Sequence, residues 1–316
     1  MNIVVISPGA DTGGQGYRIK QSFERYGAND FKVRAVHAKD NYIKYPSDVF
    51  MTKKIVQELY DWADVVHFKN RLDLYPIYDR GQKKPVVIHH QGTRLRDNAK
   101  ACQIEDRSVG AVPLVSTVDL LEVYPEAVWL PAPADIDFLA GYRIKRSREE
   151  VRICQAPTAR KIKSTDLLIS TVNELSKRRP ILLDIVEGLP WKVALSRKGR
   201  CDIFVDQLIL GYGNNAIEAW AMGLPVVAGV RSPWVREKMI EVWGQLPFYE
   251  ANESNLEEKL EDLIKSPELR EEYGARGLAH VQRFHSDLKV FEFLKDLYPK
   301  VPRSLGPAGV KLAGVR

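Results

Sequence analysis

The sequence predicts an α/β protein made of two open, parallel-sheet domains in tandem. Three observations carry this. The chain has 316 residues, room for about two domains of ordinary size. Short apolar runs alternate with helix-length segments, the pattern of a parallel sheet covered on both faces. That rhythm breaks once, in a segment rich in proline and charge, and then restarts.

Each element has its own signal. "IVVIS" (3–7) reads as a buried strand, followed by the glycine-rich turn "PGADTGGQG" and a helix over about 17–26. "FKVRAVHA" (31–38) alternates as a strand does, and a helix near 48–62 leads to the strand "DVVHF" (64–68). "PVVIHH" (85–90), "VPLVS" (112–116) and "AVWLP" (127–131) are further short apolar runs bounded by turn residues. The break is "LPAPADIDFLAGYRIKRSREE". It predicts a first domain over 1–140, a linker over 141–150 and a second domain over 151–285. "VRICQAP" (151–157) restarts the pattern, then a helix at about 164–178, "ILLDIVEG" (181–188), another helix and "CDIFVD" (201–206). Residues 254–297 read as wholly helical, with "NLEEKLEDLIK" amphipathic at helical spacing. The segment 286–316 is expected to return as a helix toward the first domain and to end in a loosely attached tail. Two such domains place a ligand cleft at the carboxyl ends of their strands.

Composition narrows the function. The net charge of +6 favours anionic partners: phosphates, DNA or an anionic membrane surface, although a solvated basic surface gives the same count. No run approaches a membrane span. The opening "MNIVVISPGAD" reads as strand and turn rather than a signal peptide, so the expected location is cytoplasmic, with peripheral contact to the inner membrane surface as an option. Cys102, Cys154 and Cys201 are scattered and odd in number, which suits a reducing compartment. No C-x-x-C or His-x-x-x-His spacing occurs, and no metal is expected.

The most informative stretch is "LGYGNNAIEAWAMGLPVVAG" (210–229). Its G-x-G-x-x-A (Gly211, Gly213, Ala216) approaches the dinucleotide fingerprint. That fingerprint belongs after a first strand, with an acid about 20 residues on. Here "VRSPW" stands at that distance, which weakens a nicotinamide reading. The glycines still allow a sharp turn close to a ligand. Asn214 and Asn215 then open a helix whose N–H groups and dipole suit a phosphate. Glu218, with Ala221 and Met222 at i+3 and i+4, projects from an apolar face and needs donors, which sugar hydroxyls would supply.

"GYGNNAIEAWAMGLPVV" resembles the nucleotide-sugar motif of retaining GT-B glycosyltransferases, the family 4-like group. "APTARKIKSTDLLISTVNEL" (156–175) is similar to that family's strand–loop–helix with a lysine before the helix. "VVIHHQGTRLR" (86–96) is similar to the first-domain H-x-H-G-S-D-L-R segment of a bacterial subgroup. The resemblance covers nearly the whole chain. It implies the GT-B architecture, two Rossmann-like domains facing each other across a cleft. It also implies transfer of a sugar from a nucleoside-diphosphate sugar to a hydroxyl acceptor, a glycan or lipid-linked sugar, with retention. No cofactor beyond that co-substrate is implied.

The resemblance assigns roles. Lys163 and Arg160 would stabilise the departing diphosphate, and His90 or His89 would contact the sugar or its phosphate. Donor contacts fall on Glu218 (ribose), Gly211, Tyr212, Gly213, Asn214, Asn215, Asp206, Thr158, Gly13 and Gly14. Gln91, Arg94 and Arg96 lie on the acceptor side. Two departures stand out. The family's E-x7-E would put a glutamate at Leu210, with Asp206 a possible substitute. Gln91 replaces the subgroup's second histidine. Other readings are a related enzyme glycosylating modified bases in DNA, a non-catalytic nucleotide-sugar binder, and an NAD-dependent oxidoreductase. "DID" (135–137) mimics a D-x-D metal motif but falls at the expected linker.

Overall fold

The structure, a computed structural model, describes residues 1–38, 49–144 and 150–306. The start of the helix expected near 48, part of the expected linker (145–149) and the tail from 307 lie outside the described residues. The chain forms two compact units. Unit 1 is Met1–Pro133 with Asp287–Arg316, and unit 2 is Ala134–Ser286.

In unit 1 the order is β1 (Asn2–Ser7), α1 (Gln15–Tyr26), β2 (Lys32–His37), β3 (Val49–Phe50), α2 (Lys53–Trp62), β4 (Val65–Lys69), α3 (Tyr75–Asp79), β5 (Val86–His90), α4 (Thr93–Val109), β6 (Val112–Val115), α5 (Leu120–Val123) and β7 (Val128–Trp129). The seven strands are all parallel, in the order β3-β2-β1-β4-β5-β6-β7. Unit 2 continues with α6 (Ile136–Ala140), β8 (Val151–Gln155), α7 (Thr165–Ser176), β9 (Ile181–Ile185), α8 (Trp191–Lys198), β10 (Ile203–Val205), β11 (Leu210–Gly211), α9 (Asn214–Ala221), β12 (Val226–Val230), α10 (Pro233–Trp243), β13 (Tyr249–Glu250), α11 (Leu256–Lys265) and α12 (Pro267–His280). Its sheet runs β11-β12-β10-β8-β9, with β13 also on β12 and only β11 antiparallel. After a π-helical turn at Val281–His285, α13 (Asp287–Leu297) belongs to unit 1.

Burial explains the order. Ile3, Val5, Val65 and Val87 of the first sheet pack against Ile19 and Phe23 of α1 and Val290, Phe291 and Leu294 of α13. The alternate residues Val4, Ile6, Val66 and Ile88 meet Val56 and Tyr60 of α2. Both faces are therefore covered, which is why these strands are continuously apolar. The Asp287 carboxylate fixes the start of α13, accepting from Arg25 Nη1 (2.7 Å) and Tyr26 OH (3.1 Å). Ser232 and Ser266 cap α10 and α12 through their side chains, each followed by a proline at the first helical position. Among the described residues, no helix is long and apolar enough to cross a membrane.

Three sequence expectations need correction. The chain passes between units at Pro133–Ala134, ahead of the expected linker. The segment 134–144, part of the stretch that breaks the sequence rhythm, is built into unit 2. Phe138 lies 5.6 Å from the Trp191 ring, and Ile144 N donates to Gly199 O (2.8 Å). Gly199 is required there, since a β-carbon would lie 1.9 Å from Tyr142 O. The 302–306 part of the tail is tied down: Leu305 N donates to Val109 O (2.7 Å), and Ser304 Oγ meets Tyr75 OH. Asp135, the first acid of "DID", accepts from Phe138 N (3.1 Å) and so caps α6.

The first sheet also buries an acid-sensitive pair. His67 and His89 lie with ring centroids 5.5 Å apart; His67 Nδ1 meets Tyr298 OH, and both ring nitrogens of His89 lack a partner among the described residues. Burial, with Lys69 adding repulsion, pushes His67 down to about 3, and burial likewise holds His89 well below the usual imidazole value. Their unfolded forms bind protons first as pH falls below about 6.5. Stability is therefore fully present above about 6.5 and lost as pH falls below it, down to about 3 for His67, by up to about 1.4 kcal/mol per pH unit for each histidine. In urea titrations across pH 4–7, His89→Leu should flatten the measured slope by up to about 1.4 kcal/mol per pH unit without lowering stability at pH 7, because it removes two buried nitrogens that lack a partner among the described residues. An unchanged slope would contradict the assignment.

Candidate functional site

In an open parallel sheet, ligands bind at the carboxyl ends of the strands where the strand order reverses. In unit 2 that point lies between β8 and β10. Gln155 ends β8, Lys163 sits on the loop that leads into α7, and Asp206 follows β10. The structure brings them together. Lys163 Nζ pairs with Asp206 Oδ1, and Gly213 N, at the start of α9, donates to Asp206 Oδ2 (2.6 Å). Gln155 Nε2 donates to Lys163 O (2.8 Å) and Asp206 O (3.1 Å), so the buried amide ties loop to strand. A β-carbon built on Gly213 would stand 3.6 Å from both Asp206 Oδ2 and Lys163 Nζ. Gly211 has φ +83°, and a β-carbon there would strike Met239 Cε at 2.5 Å. The sharp turn between β11 and α9 thus needs its glycine.

Unit 1 carries a matching arrangement between β1 and β4, its own reversal point. Asp11, after β1, accepts from Lys69 Nζ (2.6 Å), Gly16 N (2.9 Å) and Tyr17 N (3.0 Å). Burial by itself would raise the Asp11 carboxyl; Lys69 and the two N–H groups outweigh it and hold the group below the usual carboxylate value. Gly13 and Gly14, at φ +65° and +62°, form the left-handed turn that leads into α1. Both units therefore place a Lys–Asp pair across the reversal point, with the carboxylate on the N–H groups of a glycine-led helix. In unit 1 Lys69 is 2% and Asp11 9% exposed, and in unit 2 Lys163 is 11% and Asp206 1% exposed, so the lysine is the buried member in unit 1 and the more accessible member in unit 2.

Glu218 is bonded within the chain. Trp191 Nε1 donates to its Oε1 (2.8 Å), Lys198 Nζ pairs with Oε2, and both Lys198 and Glu218 are 1% exposed. Lys198 also donates to Asn215 Oδ1 (3.0 Å), while Asn215 Nδ2 donates to Ala156 O (2.7 Å). The donors assigned to sugar hydroxyls are supplied by the chain itself, because a carboxylate in this core needs a permanent counter-charge. Its effect is to pin α9 to α8 and to the loop after β8.

Other predicted residues also separate. Neither His89 nor His90 reaches solvent, at 0% and 1% exposed. The two do point to opposite faces, but both faces are covered: His90 Nε2 meets Asp106 Oδ2 (2.8 Å) on α4. Tyr212 is core, its hydroxyl between His280 Nε2 (3.0 Å) and His285 Nε2 (2.7 Å), with Trp220 and Trp243 around its ring. Arg160 turns away from Asp206 to a two-point pair with Glu187 (2.6–3.1 Å), and Thr158 is exposed. Arg94 and Arg96 pair with Glu105 and Asp119, each at 2.7 Å, and Gln91 is held by its backbone N on Asn70 Oδ1 (2.6 Å). Asn214 opens α9 as expected from its position. Sequence reasoning missed Gln155, Lys198, Trp191, Asp11 and Lys69. Of these, only Asp11 had a local signal, as the acid inside the first glycine turn.

The sequence matches no protein-family model, and a search of curated proteins finds no match. Solved structures do share its fold. Anabaena Alr3699/HepE in complex with UDP-glucose aligns with TM-score 0.70 and 12% identity, over 95% of this chain and 100% of that one. An α-glucosyltransferase in complex with UDP and a 13-mer DNA containing a central A:G mismatch aligns with TM-score 0.65 and 14% identity, over 94% and 99%. A glycosyltransferase from Rickettsia africae aligns with TM-score 0.65 and 12% identity, over 95% and 98%. These likenesses establish the fold: the chain has the GT-B type of architecture, with two Rossmann-like units.

Proposed function

We propose that the protein is a glycosyltransferase that takes a sugar from a nucleoside-diphosphate sugar and passes it to a hydroxyl acceptor with retention. One observation carries this reading: Lys163 Nζ and Gly213 N converge on one point at the reversal of the second sheet, at the mouth of a glycine-led helix. Breaking a sugar–phosphate bond places growing negative charge on the diphosphate. A lysine and a helix N-terminus already aimed there stabilise that charge without reorganising. Lys163 and Gly213 N are the groups assigned to the leaving diphosphate, with Asn214 and Asn215 beside them. Glu218 and Lys198 hold α9 in place, and the buried histidines take no part. Retention rests on the motif resemblance, in which the departing phosphate helps to remove the acceptor proton. No cofactor is needed.

A panel of nucleotide-sugars screened by thermal unfolding tests the reading, with a nicotinamide dinucleotide as control. A donor at 100 times its Kd stabilises the folded state by about 2.7 kcal/mol. No shift with any donor, together with no sugar transfer, would reject it. The net charge of +6 and the DNA-bound neighbour favour a second reading for the acceptor, a base in DNA. The same protein titrated with duplex DNA decides it: binding that falls steeply with salt supports DNA, and none at low salt rejects it.

A further inference from the structure

Asp206 occupies the place that an anion would need. Its two oxygens take the Lys163 ammonium and the Gly213 N–H, the donors just assigned to the diphosphate. We infer that Asp206 is an internal stand-in for phosphate, which a diphosphate must displace from Lys163 and Gly213 N before it can bind. The inference rests on the transferase reading for its ligand, but its physical content is narrower. While Asp206 is in place, the site is electrically neutral and its donors are spent. With the carboxylate charge removed, the same donors face an incoming anion with a net positive charge.

Two contrasts support displacement in unit 2. In unit 1 the lysine itself is buried, Lys69 being 2% exposed against 11% for Lys163, and Asp11 takes two backbone N–H groups besides the lysine. Asp206 takes one, and its lysine rides on a loop whose residues 158–162 are exposed. The closed arrangement is also incompletely satisfied. Gln155 Oε1 and Thr165 Oγ1, buried at the two ends of that loop, have no hydrogen-bond partner among the described residues. Opening the loop therefore gives up less than a fully bonded arrangement would.

The test uses inorganic pyrophosphate and UDP as probes, titrated by calorimetry into wild-type protein and Asp206→Asn. Asparagine keeps an acceptor for Gly213 N and removes the charge. Pyrophosphate should bind the variant about tenfold more tightly. The gain should shrink with added salt and vanish in Lys163→Ala/Asp206→Asn. Asp206→Ser should show the same gain, and a thermal unfolding curve confirms that each variant is folded. Equal or weaker pyrophosphate binding in folded variants overturns the inference. If UDP binds wild type and variant alike, the stand-in role falls and the transferase reading stands. If pyrophosphate tightens but no nucleotide or nucleotide-sugar binds either protein, the stand-in role holds and the transferase reading falls.

Discussion

Lys163→Ala should lower sugar transfer by about 10²- to 10³-fold, the loss typical of removing one preorganised donor from a developing negative charge. It should also weaken donor binding, for a reason specific to this site. Lys163 is the counter-charge of Asp206, which is 1% exposed. Without the lysine, a buried carboxylate remains beside Gly213 N and repels the diphosphate. The double variant Lys163→Ala/Asp206→Asn separates the two effects. Removing both charges should recover most of the donor affinity, since the repulsion is gone, while turnover stays low, since nothing stabilises the leaving group. Steady-state rates with a radiolabelled donor, alongside calorimetric donor binding, make the comparison. Wild-type turnover in Lys163→Ala would remove this residue from the chemistry and with it the proposed site.

The sequence exposes backbone requirements better than side-chain partnerships. The alternation of apolar runs and helices was legible because every strand of a covered parallel sheet must be apolar. The turn at Gly211–Gly213 was legible because only glycine tolerates φ +83° against Met239. Lys163 and Asp206 could be marked through the motif resemblance, as the lysine ahead of a helix and as a possible substitute for the glutamate missing at Leu210. Their pairing could not, because it joins residues 43 apart through sheet order. The histidines show a different limit. Adjacent strand residues do point to opposite faces, yet exposure does not follow when helices cover both. The crossing at Pro133–Ala134 was hidden because the short helix capped by Asp135 lies between Pro131 and Pro133 on one side and the charged run from Arg143 on the other, so the whole stretch has the composition of a linker. The resemblance gives Arg160 to the diphosphate and Arg94 and Arg96 to the acceptor side, and the sequence does not show the acidic partners, Glu187, Glu105 and Asp119, that the fold brings to them.

Lys198 was the least visible residue and carries the largest expected effect on stability. It is a basic residue in the last turn of α8, an ordinary position for a lysine at a helix C-terminus. The structure instead buries it against Glu218, 20 residues on. Lys198→Met should destabilise unit 2 by about 3–5 kcal/mol, because it leaves Glu218 as an uncompensated buried charge. Glu218→Gln alone should cost a similar amount through the stranded lysine. The double variant Lys198→Met/Glu218→Gln should return to within about 1–2 kcal/mol of wild type, since a neutral amide still accepts from Trp191 and no charge is left buried. Urea unfolding monitored by tryptophan fluorescence measures all three, with the transition of unit 2 analysed apart from that of unit 1. The same double variant decides what Glu218 does. A carboxylate that only anchors α9 can be replaced as a pair, leaving donor affinity within a few-fold of wild type. A carboxylate that binds ribose cannot, and stability would then recover without donor binding.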